Sequence, residues 1–186
     1  MSIFLLRHEE RFEPPSFFTP LTQQGLENAG KLVDKLIKIP LDEIYCSPFL
    51  RTVQTIYPYC ISNNIKINIE NSLYEINNPH ICQKSNYQHR VSELECIHPK
   101  YLQIVNNDYD SFLELENMKW PDRHLEDLYK RVVPFIEHLR ENKQGKNILL
   151  VSHMSTINVI KNYLLHGQIA EKDVFYPTGH LEEFKF

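Results

Sequence analysis

Short apolar runs alternate with amphipathic stretches along the chain, and this alternation predicts strands separated by helices. The runs typical of strands are residues 2–6, 42–46, 65–69, 147–151 and 181–186. Residues 148–151 are all apolar, as expected for a central strand that is buried on both faces. Strands that alternate with helices favour a three-layer α/β/α sandwich with a mostly parallel central sheet.

Helix boundaries are marked by residue types that cap or end helices. Serine and threonine side chains accept hydrogen bonds from free N–H groups of the first turn, whereas proline and glycine interrupt or end a helix. Apolar positions at helical spacing over residues 123–139 predict a third helix, and residues 91–105 show a weaker helical pattern. The boundaries predicted for the other helices are Thr22 and Pro40 for the first, Ser47 with Pro48 for the start of the second, and Ser155 and Gly167 for the fourth.

Composition and charge limit the expected cellular location of the protein and the class of its partners. The 186 residues carry a formal net charge of −4, which argues against a nucleic acid or an anionic membrane as the main target. The sequence shows no apolar run of about 18 residues and no basic leader, so neither a membrane span nor a signal peptide is predicted. The cysteines lack the spacing of a zinc site, and we expect a cytoplasmic protein with reduced thiols and one domain, residues 1–186. Four further histidines likewise fit no metal-ligand spacing: His80, His89, His98 and His124.

Polar side chains that can bind an oxyanion follow two of the predicted strands. Arg7, His8 and Arg11 come after the first strand, and His153 comes after the strand of residues 147–151. Because ligands of open α/β sheets bind at the carboxyl ends of the strands, both histidines are expected at one edge. Guanidinium groups bind phosphate oxygens in a planar, bidentate manner, and an imidazole nitrogen can act as a nucleophile.

A further arginine and a carboxylate complete this group. Arg51 is predicted in the first turn of the second helix, where free N–H groups and the helix dipole favour an anion. Glu75 follows the third predicted strand and can face the same edge, although Glu9, Glu10 and Glu70 compete with it for an acid–base role. The whole set suits phosphoryl transfer through a phosphohistidine, without a metal ion.

Four motifs, in order along the chain, resemble those of the histidine phosphatase superfamily, which has the phosphoglycerate mutase-like fold. They are Leu6-Arg7-His8, residues 20–25 (PLTQQG), residues 45–55 (YCSPFLRTVQT) and Val151-Ser152-His153. The serine-proline stretch with its arginine, glutamine and threonine is the most specific of the four.

The resemblance implies a metal-independent phosphatase that hydrolyses a phosphomonoester and requires no cofactor. It implies a phosphorylated small molecule or a phosphoprotein as substrate, and residues 71–122 as a variable segment that shapes the entrance to the site. The implied roles are nucleophile for His8, general acid for Glu75, catalytic residue and phosphate ligand for His153, and phosphate ligands for Arg7, Arg11 and Arg51.

Two residues depart from the family's pattern. The family usually has glycine after each of the two histidines, and here Glu9 and Met154 stand in those places. Glycine adopts unusual dihedral angles and lets a ligand approach the backbone, whereas a carboxylate beside His8 either repels phosphate or points away from it. A phospho-ligand-binding or scaffold domain with weak or no turnover is therefore an alternative. A phosphoglycerate-type mutase is a second alternative, although family mutases tend to be longer.

Overall fold

A five-stranded sheet forms the centre of the protein. The computed structural model describes residues 1–76, 97–117, 122, 125–169 and 174–186. The strands are β1 (Ser2–Arg7), β2 (Glu43–Cys46), β3 (Asn68–Ile69), β4 (Asn147–Ser152) and β5 (Leu181–Lys185). Their order is β3-β2-β4-β1-β5, with β5 antiparallel to β1 and the other neighbouring pairs parallel. The prediction of a mostly parallel sheet is confirmed.

The register of the two central strands decides where the functional edge lies. In the parallel pair of β1 and β4, Ser2 is opposite Asn147 and Arg7 is opposite Ser152. Parallel strands that start together also end together, so the residues that follow them emerge side by side. His8 and His153 are those residues.

Helices cover both faces of the sheet. They are α1 (Gln23–Leu36), α2 (Leu50–Asn63), α3 (Leu125–Asn142) and α4 (Met154–His166). Successive side chains of a strand point to opposite faces, and Leu6 of β1 accordingly packs in a cluster with Leu32 of α1 and Ile56 of α2. On the other face, Leu5 belongs to a cluster with Val132 of α3 and Ile160 of α4. The predicted three-layer α/β/α sandwich is therefore confirmed.

Two of the predicted helix caps are confirmed. The Thr22 side chain accepts a hydrogen bond from the Gly25 N–H at the start of α1, and Gly167 ends α4 in the left-handed conformation, at φ 66°.

The two serine N-caps are wrong. Phe49 is the N-cap of α2 and His153 is the N-cap of α4, each without a capping side-chain hydrogen bond. The Ser47 hydroxyl instead lies 2.9 Å from His153 Nε2. Ser155 is already inside α4, since that helix begins directly after the single residue that follows β4.

The segment around the third strand differs from its prediction in length. β3 has only two residues, because Ile67 pairs with Val105 rather than with β2. The weaker helical pattern over residues 91–105 corresponds to a 3₁₀-helix, Pro99–Ile104, and residues 91–96 lie outside the described part of the chain. Three of the histidines named above, His80, His89 and His124, also lie outside the described part of the chain, as do two of the cysteines, Cys82 and Cys96. Among the helices that the structure describes, none is long and apolar enough to cross a bilayer.

Candidate active site

Two histidines meet at the carboxyl edge of the sheet. The backbone N–H of His8 donates to the carbonyl of Ser152 at 3.0 Å, which fixes the end of β1 against the end of β4. The imidazole rings of His8 and His153 have centroids 5.3 Å apart and planes at 61°. Both residues are almost completely buried. The sheet thus brings together the two histidines that the sequence placed at one edge.

The surroundings of His8 hold its ring in a neutral form suited to nucleophilic attack. Its Nδ1 lies 2.7 Å from the carbonyl oxygen of Glu9, and a carbonyl can only accept, so Nδ1 carries the proton. Nε2 then keeps its lone pair. Burial, followed by the positive charge of Arg51, holds the pKa of His8 well below its usual value.

His153 has a different set of contacts. Its Nε2 lies 2.9 Å from Ser47 Oγ, while its buried Nδ1 has no hydrogen-bond partner among the described residues. That Nδ1 is 3.8 Å from Glu75 Oε2. Burial and the charge of Arg51 lower the pKa of His153 well below its usual value. A buried polar nitrogen without a partner is costly, and an oxygen of a bound anion would satisfy it.

Arg51 is the buried cation of the site. It is the second residue of α2 and only 1% exposed. Its Nη1 donates to the carbonyl of Ser16 at 2.8 Å, and its guanidinium carbon lies 4.5 Å from the centre of the Phe49 ring. A guanidinium held against an aromatic face and a carbonyl is pre-organised to bind an anion.

Arg7 lies at the end of β1, next to the histidines. Its Nη1 donates to the carbonyl of Tyr176, which fixes the guanidinium to the segment before β5. Burial lowers the pKa of Arg7, and the opposite charge of Glu75 partly offsets this shift. The buried Nε of Arg7 has no partner among the described residues, so it remains available to an oxyanion.

Arg11 is engaged differently from the other two arginines. Its Nη1 pairs with Glu13 at 2.8 Å and donates to the carbonyl of Phe12 at 3.0 Å. It is nevertheless close enough to lower the pKa of both His8 and His153 through its charge. Its assignment as a phosphate ligand stays a prediction, in which the donors other than Nη1 would bind the phosphate.

Glu75 is the carboxylate that the fold places beside the histidines. It follows the 3₁₀-helix Asn71–Leu73, and its Oε1 accepts from the backbone N–H of Ile76 at 3.1 Å. The competing carboxylates have other contacts: Glu70 is buried and accepts from Tyr109, Ser111 and backbone N–H groups, and Glu10 accepts from Thr22 at 2.8 Å.

Glu9, which replaces the expected glycine, points toward α1 and the turn before β5. Its carboxylate is hydrogen-bonded to Asn28 and lies against the Cα of Gly179. Burial raises the pKa of Glu9 in spite of the Asn28 bond. Among the described residues other than glycine, only Asn64 has a positive φ, so neither Glu9 nor Met154 needs the dihedral freedom of glycine.

The contact between Glu9 and Gly179 leads to a testable prediction. A Cβ at residue 179 would lie 2.0 Å from Glu9 Oε1, and the backbone there has φ +67°. We expect Gly179→Ala to lower the free energy of unfolding by about 1–2 kcal/mol through the left-handed backbone alone, with a further loss from the displaced carboxylate. Urea unfolding of both single variants and of Gly179→Ala with Glu9→Ala measures the coupling. A smaller cost of Gly179→Ala in the Glu9→Ala background is expected, and strictly additive losses would contradict the contact.

The arrangement can bind either an anion or a cation, and charge decides between them. His8, Glu75 and His153 each offer one ligand atom, and these atoms lie within 4.8 Å of one another, so the three could hold a divalent metal ion. The charges of Arg51, Arg7 and Arg11 act on both histidines. Cations so close to the histidines disfavour a metal ion and favour a phosphate-sized oxyanion.

Two contacts of the site were not predicted from the sequence. Ser47 was predicted to cap the helix and to help orient the pocket, but the contact of its hydroxyl with His153 was not predicted; its place in the serine-proline motif was the available signal. The carbonyl of Tyr176 holds Arg7, and a backbone carbonyl leaves no signal in a sequence.

The sequence matches a known protein family over most of its length. Residues 18–182 match the model of the histidine phosphatase superfamily (branch 1); this range contains Arg51, Glu75 and His153 and begins after His8. No curated protein matches the sequence significantly.

Many solved structures have a similar fold, and three of them serve as examples. The ecdysone phosphate phosphatase of Bombix mori, in complex with tungstate, has a TM-score of 0.69 at 18% identity, covering 100% of this chain and 89% of that chain. YhfR of Bacillus stearothermophilus has a TM-score of 0.71 at 16% identity, covering 99% and 90%. The mycobacterial glucosyl-3-phosphoglycerate phosphatase, in complex with VO3, has a TM-score of 0.67 at 16% identity, covering 98% and 91%. At these identities the likeness establishes the fold, and the family model, which spans most of the chain, establishes that this protein belongs to the histidine phosphatase superfamily (branch 1).

Proposed function

We propose that this protein is a metal-independent phosphatase that hydrolyses a phosphomonoester through a phosphohistidine intermediate on His8. The observation that carries the proposal is the buried, neutral His8, whose Nδ1 proton lies on the Glu9 carbonyl. The charges of Arg51 and Arg7 act on its ring, and ligand atoms of His8, His153 and Glu75 lie within 4.8 Å of one another. Two of the proteins with a similar fold are phosphatases in complex with tungstate or VO3, which are oxyanions like phosphate.

In the first step, the lone pair of His8 Nε2 attacks phosphorus while the ester P–O bond breaks. The electron pair of that bond stays on the leaving oxygen, which takes a proton from the Glu75 carboxyl group. Arg7 and Arg51 hold the phosphoryl oxygens as their charge changes. If the Ser47 hydroxyl donates to Nε2 of His153, the Nδ1 of His153 carries a proton and donates it in a hydrogen bond to the phosphoryl group.

In the second step, the Glu75 carboxylate takes a proton from water as the water oxygen attacks phosphorus. The P–N bond breaks, its electron pair returns to His8 Nε2, and inorganic phosphate leaves. Glu75 is again protonated, so the enzyme returns to its starting state. The Glu9 carboxylate, bonded to Asn28, is directed toward α1, which favours turnover over the scaffold alternative.

The substrate is proposed to be a phosphorylated small molecule or a phosphoprotein. Residues 97–117 of the variable segment pack partly into the core through Tyr101 and Ile104. Residues 77–96 and 118–121 lie outside the described part of the chain, so the role of residues 71–122 as substrate entrance stays a prediction.

Hydrolysis of p-nitrophenyl phosphate by the purified protein in EDTA tests the proposal. We expect turnover that the chelator leaves unchanged, with a rapid first release of nitrophenolate as the phosphoenzyme accumulates. Vanadate binding without turnover would instead identify a phospho-ligand-binding domain. Transfer between phosphoglycerates that outpaces hydrolysis would identify a mutase.

The low pKa of both histidines gives a second measurable prediction. We expect the ¹⁵N signals of His8 and His153 to remain those of neutral rings as the pH falls through about 6.5, with the proton of His8 on Nδ1. The unfolded chain takes up protons at that pH and the folded chain does not, so the free energy of unfolding falls on acidification. The variants His8→Ala and His153→Ala assign the signals. Titration of either ring at or above pH 6.5 would contradict the neutral, nucleophilic state.

A further inference from the structure

The loop that carries Glu75 is held in place by side chains from other elements. Residues 72–75 lie between β3 and the end of the described segment, and their carbonyls face inward. Ser152 Oγ of β4 donates to the carbonyl of Leu73 at 2.8 Å, and Thr156 Oγ1 of α4 donates to the carbonyl of Tyr74 at 2.7 Å. The position of Glu75 therefore depends on contacts that β3 itself does not supply.

Arg131 of α3 makes the largest number of these contacts. Its Nη1 donates to the carbonyls of Ser72 at 2.9 Å and Tyr74 at 3.2 Å, and its Nη2 lies 3.5 Å from the carbonyl of Glu75. The same Nη2 pairs with Asp122 Oδ2 at 3.0 Å. One guanidinium thus contacts the backbone carbonyls on both sides of the Glu75 Cα. It links this backbone to α3 and to Asp122.

Because the Arg131–Asp122 ion pair is buried, it contributes more to fixing the local geometry than to the free energy of folding. The Arg131 and Asp122 side chains are only 7% and 3% exposed. The cost of removing two charges from water cancels much of their attraction, so a buried pair adds little net stability while it fixes a defined geometry. The planar fork of arginine reaches several carbonyls at once, which the single ammonium of lysine cannot do.

We infer that Arg131 is a positioning residue for the general acid: it sets where the Glu75 carboxyl group lies relative to His153 and the leaving oxygen. The inference rests on the proposed function, since it assumes that Glu75 protonates the leaving group. Glu75 Oε2 is 3.8 Å from His153 Nδ1, and a displacement of about 1 Å in such a site can cost on the order of 100-fold in rate.

Leaving-group dependence separates a positioning role from a merely structural one. Phenyl phosphate and p-nitrophenyl phosphate have rings of similar shape, but phenolate is the more basic leaving group and needs protonation more. Because kcat/KM covers the steps up to leaving-group release, it reports on Glu75 as an acid and excludes dephosphorylation. For Arg131→Lys we expect kcat/KM to fall about 10- to 100-fold with phenyl phosphate and less than about 3-fold with p-nitrophenyl phosphate.

Glu75→Gln provides the reference. We expect it to lower kcat/KM more than Arg131→Lys does, and again mainly with phenyl phosphate. In the double variant, Arg131→Lys is expected to add no further loss, because the group that it positions is already gone. The matched control is Arg140→Lys, on the same helix, where a half-exposed arginine pairs with Glu137; its kinetics should equal those of the wild type. Vanadate affinity should be unchanged in Arg131→Lys, which shows that the oxyanion pocket is intact.

The outcomes distinguish the inference from the function on which it rests. Equal losses for both substrates in Glu75→Gln would overturn the acid role of Glu75, whatever Arg131 does. The inference alone would be overturned if Glu75→Gln lost kcat/KM mainly with phenyl phosphate, while Arg131→Lys lost it equally with both substrates or not at all. If Arg131→Lys does not fold, Asp122→Asn replaces it, since this variant keeps the arginine and loosens its Nη2; a smaller loss with the same selectivity is expected, and no selectivity would overturn the inference.

Discussion

Replacing His8 with alanine is expected to lower the turnover of p-nitrophenyl phosphate by at least about 1,000-fold. The reason is that His8 is the proposed nucleophile, whereas His153 has its Nε2 on Ser47 and is assigned with the arginines to binding the phosphoryl oxygens. The acid-labile phosphoenzyme that forms with the wild type should also be missing. Steady-state kinetics and trapping with ³²P-labelled substrate, both in EDTA, measure these two effects.

A second histidine variant makes this result specific. His166 is the exposed last residue of α4, so His166→Ala removes an imidazole without touching the site and should keep wild-type activity. Circular dichroism confirms that each variant is folded. A His8→Ala protein that retains turnover, or a wild-type rate that EDTA abolishes, would refute the phosphohistidine mechanism.

Arg51→Lys is expected to lower kcat/KM by about 100- to 1,000-fold, the second-largest effect. The guanidinium donates to the Ser16 carbonyl at 2.8 Å and lies over the Phe49 ring at 4.5 Å, and its charge acts on both histidines. A lysine ammonium cannot keep the Ser16 contact and also offer two parallel donors to a phosphoryl group. The same variant should weaken competitive inhibition by vanadate.

The choice of lysine separates hydrogen bonding from charge. Lysine keeps the positive charge that helps to lower the pKa of His8, so the nucleophile should remain neutral. The loss of kcat/KM should then come from the missing pair of parallel guanidinium donors. Arg140→Lys again serves as the matched control on an exposed pair. Vanadate inhibition as strong in Arg51→Lys as in the wild type would show that Arg51 does not bind the oxyanion.

Much of the fold could be predicted from the pattern of the chain. The apolar run at residues 148–151 predicts a strand buried on both faces, and β4 lies in the centre of the sheet. Thr22 and Gly167 mark helix ends through local chemistry, and both predictions are confirmed. These features depend on residues within one turn or one strand, so the local sequence contains the information.

The Ser47 cap failed because a distant residue competes for the same hydroxyl. Ser47 and Pro48 have the local signature of a helix start, but Ser47 Oγ is used by His153, 106 positions away in the sequence. Likewise, the sequence favoured Glu75 as the general acid but left Glu9, Glu10 and Glu70 as competitors. Only the three-dimensional contacts of each carboxylate separate them: Glu70 is enclosed by its own donors, Glu10 is bonded to Thr22, and Glu9 is turned toward Asn28.

The sequence by itself determined which chemical groups are present. It also determined that two strands would place His8 and His153 at one edge of the sheet, because the spacing of apolar residues and the ends of the apolar runs are local properties. Only the tertiary structure decided how these groups are protonated and aimed. The Nδ1 proton of His8 follows from the Glu9 carbonyl, Arg7 is held by the Tyr176 carbonyl, and Glu75 is held through Arg131. Backbone carbonyls are identical in every residue, so their contacts can be located only once the chain has folded.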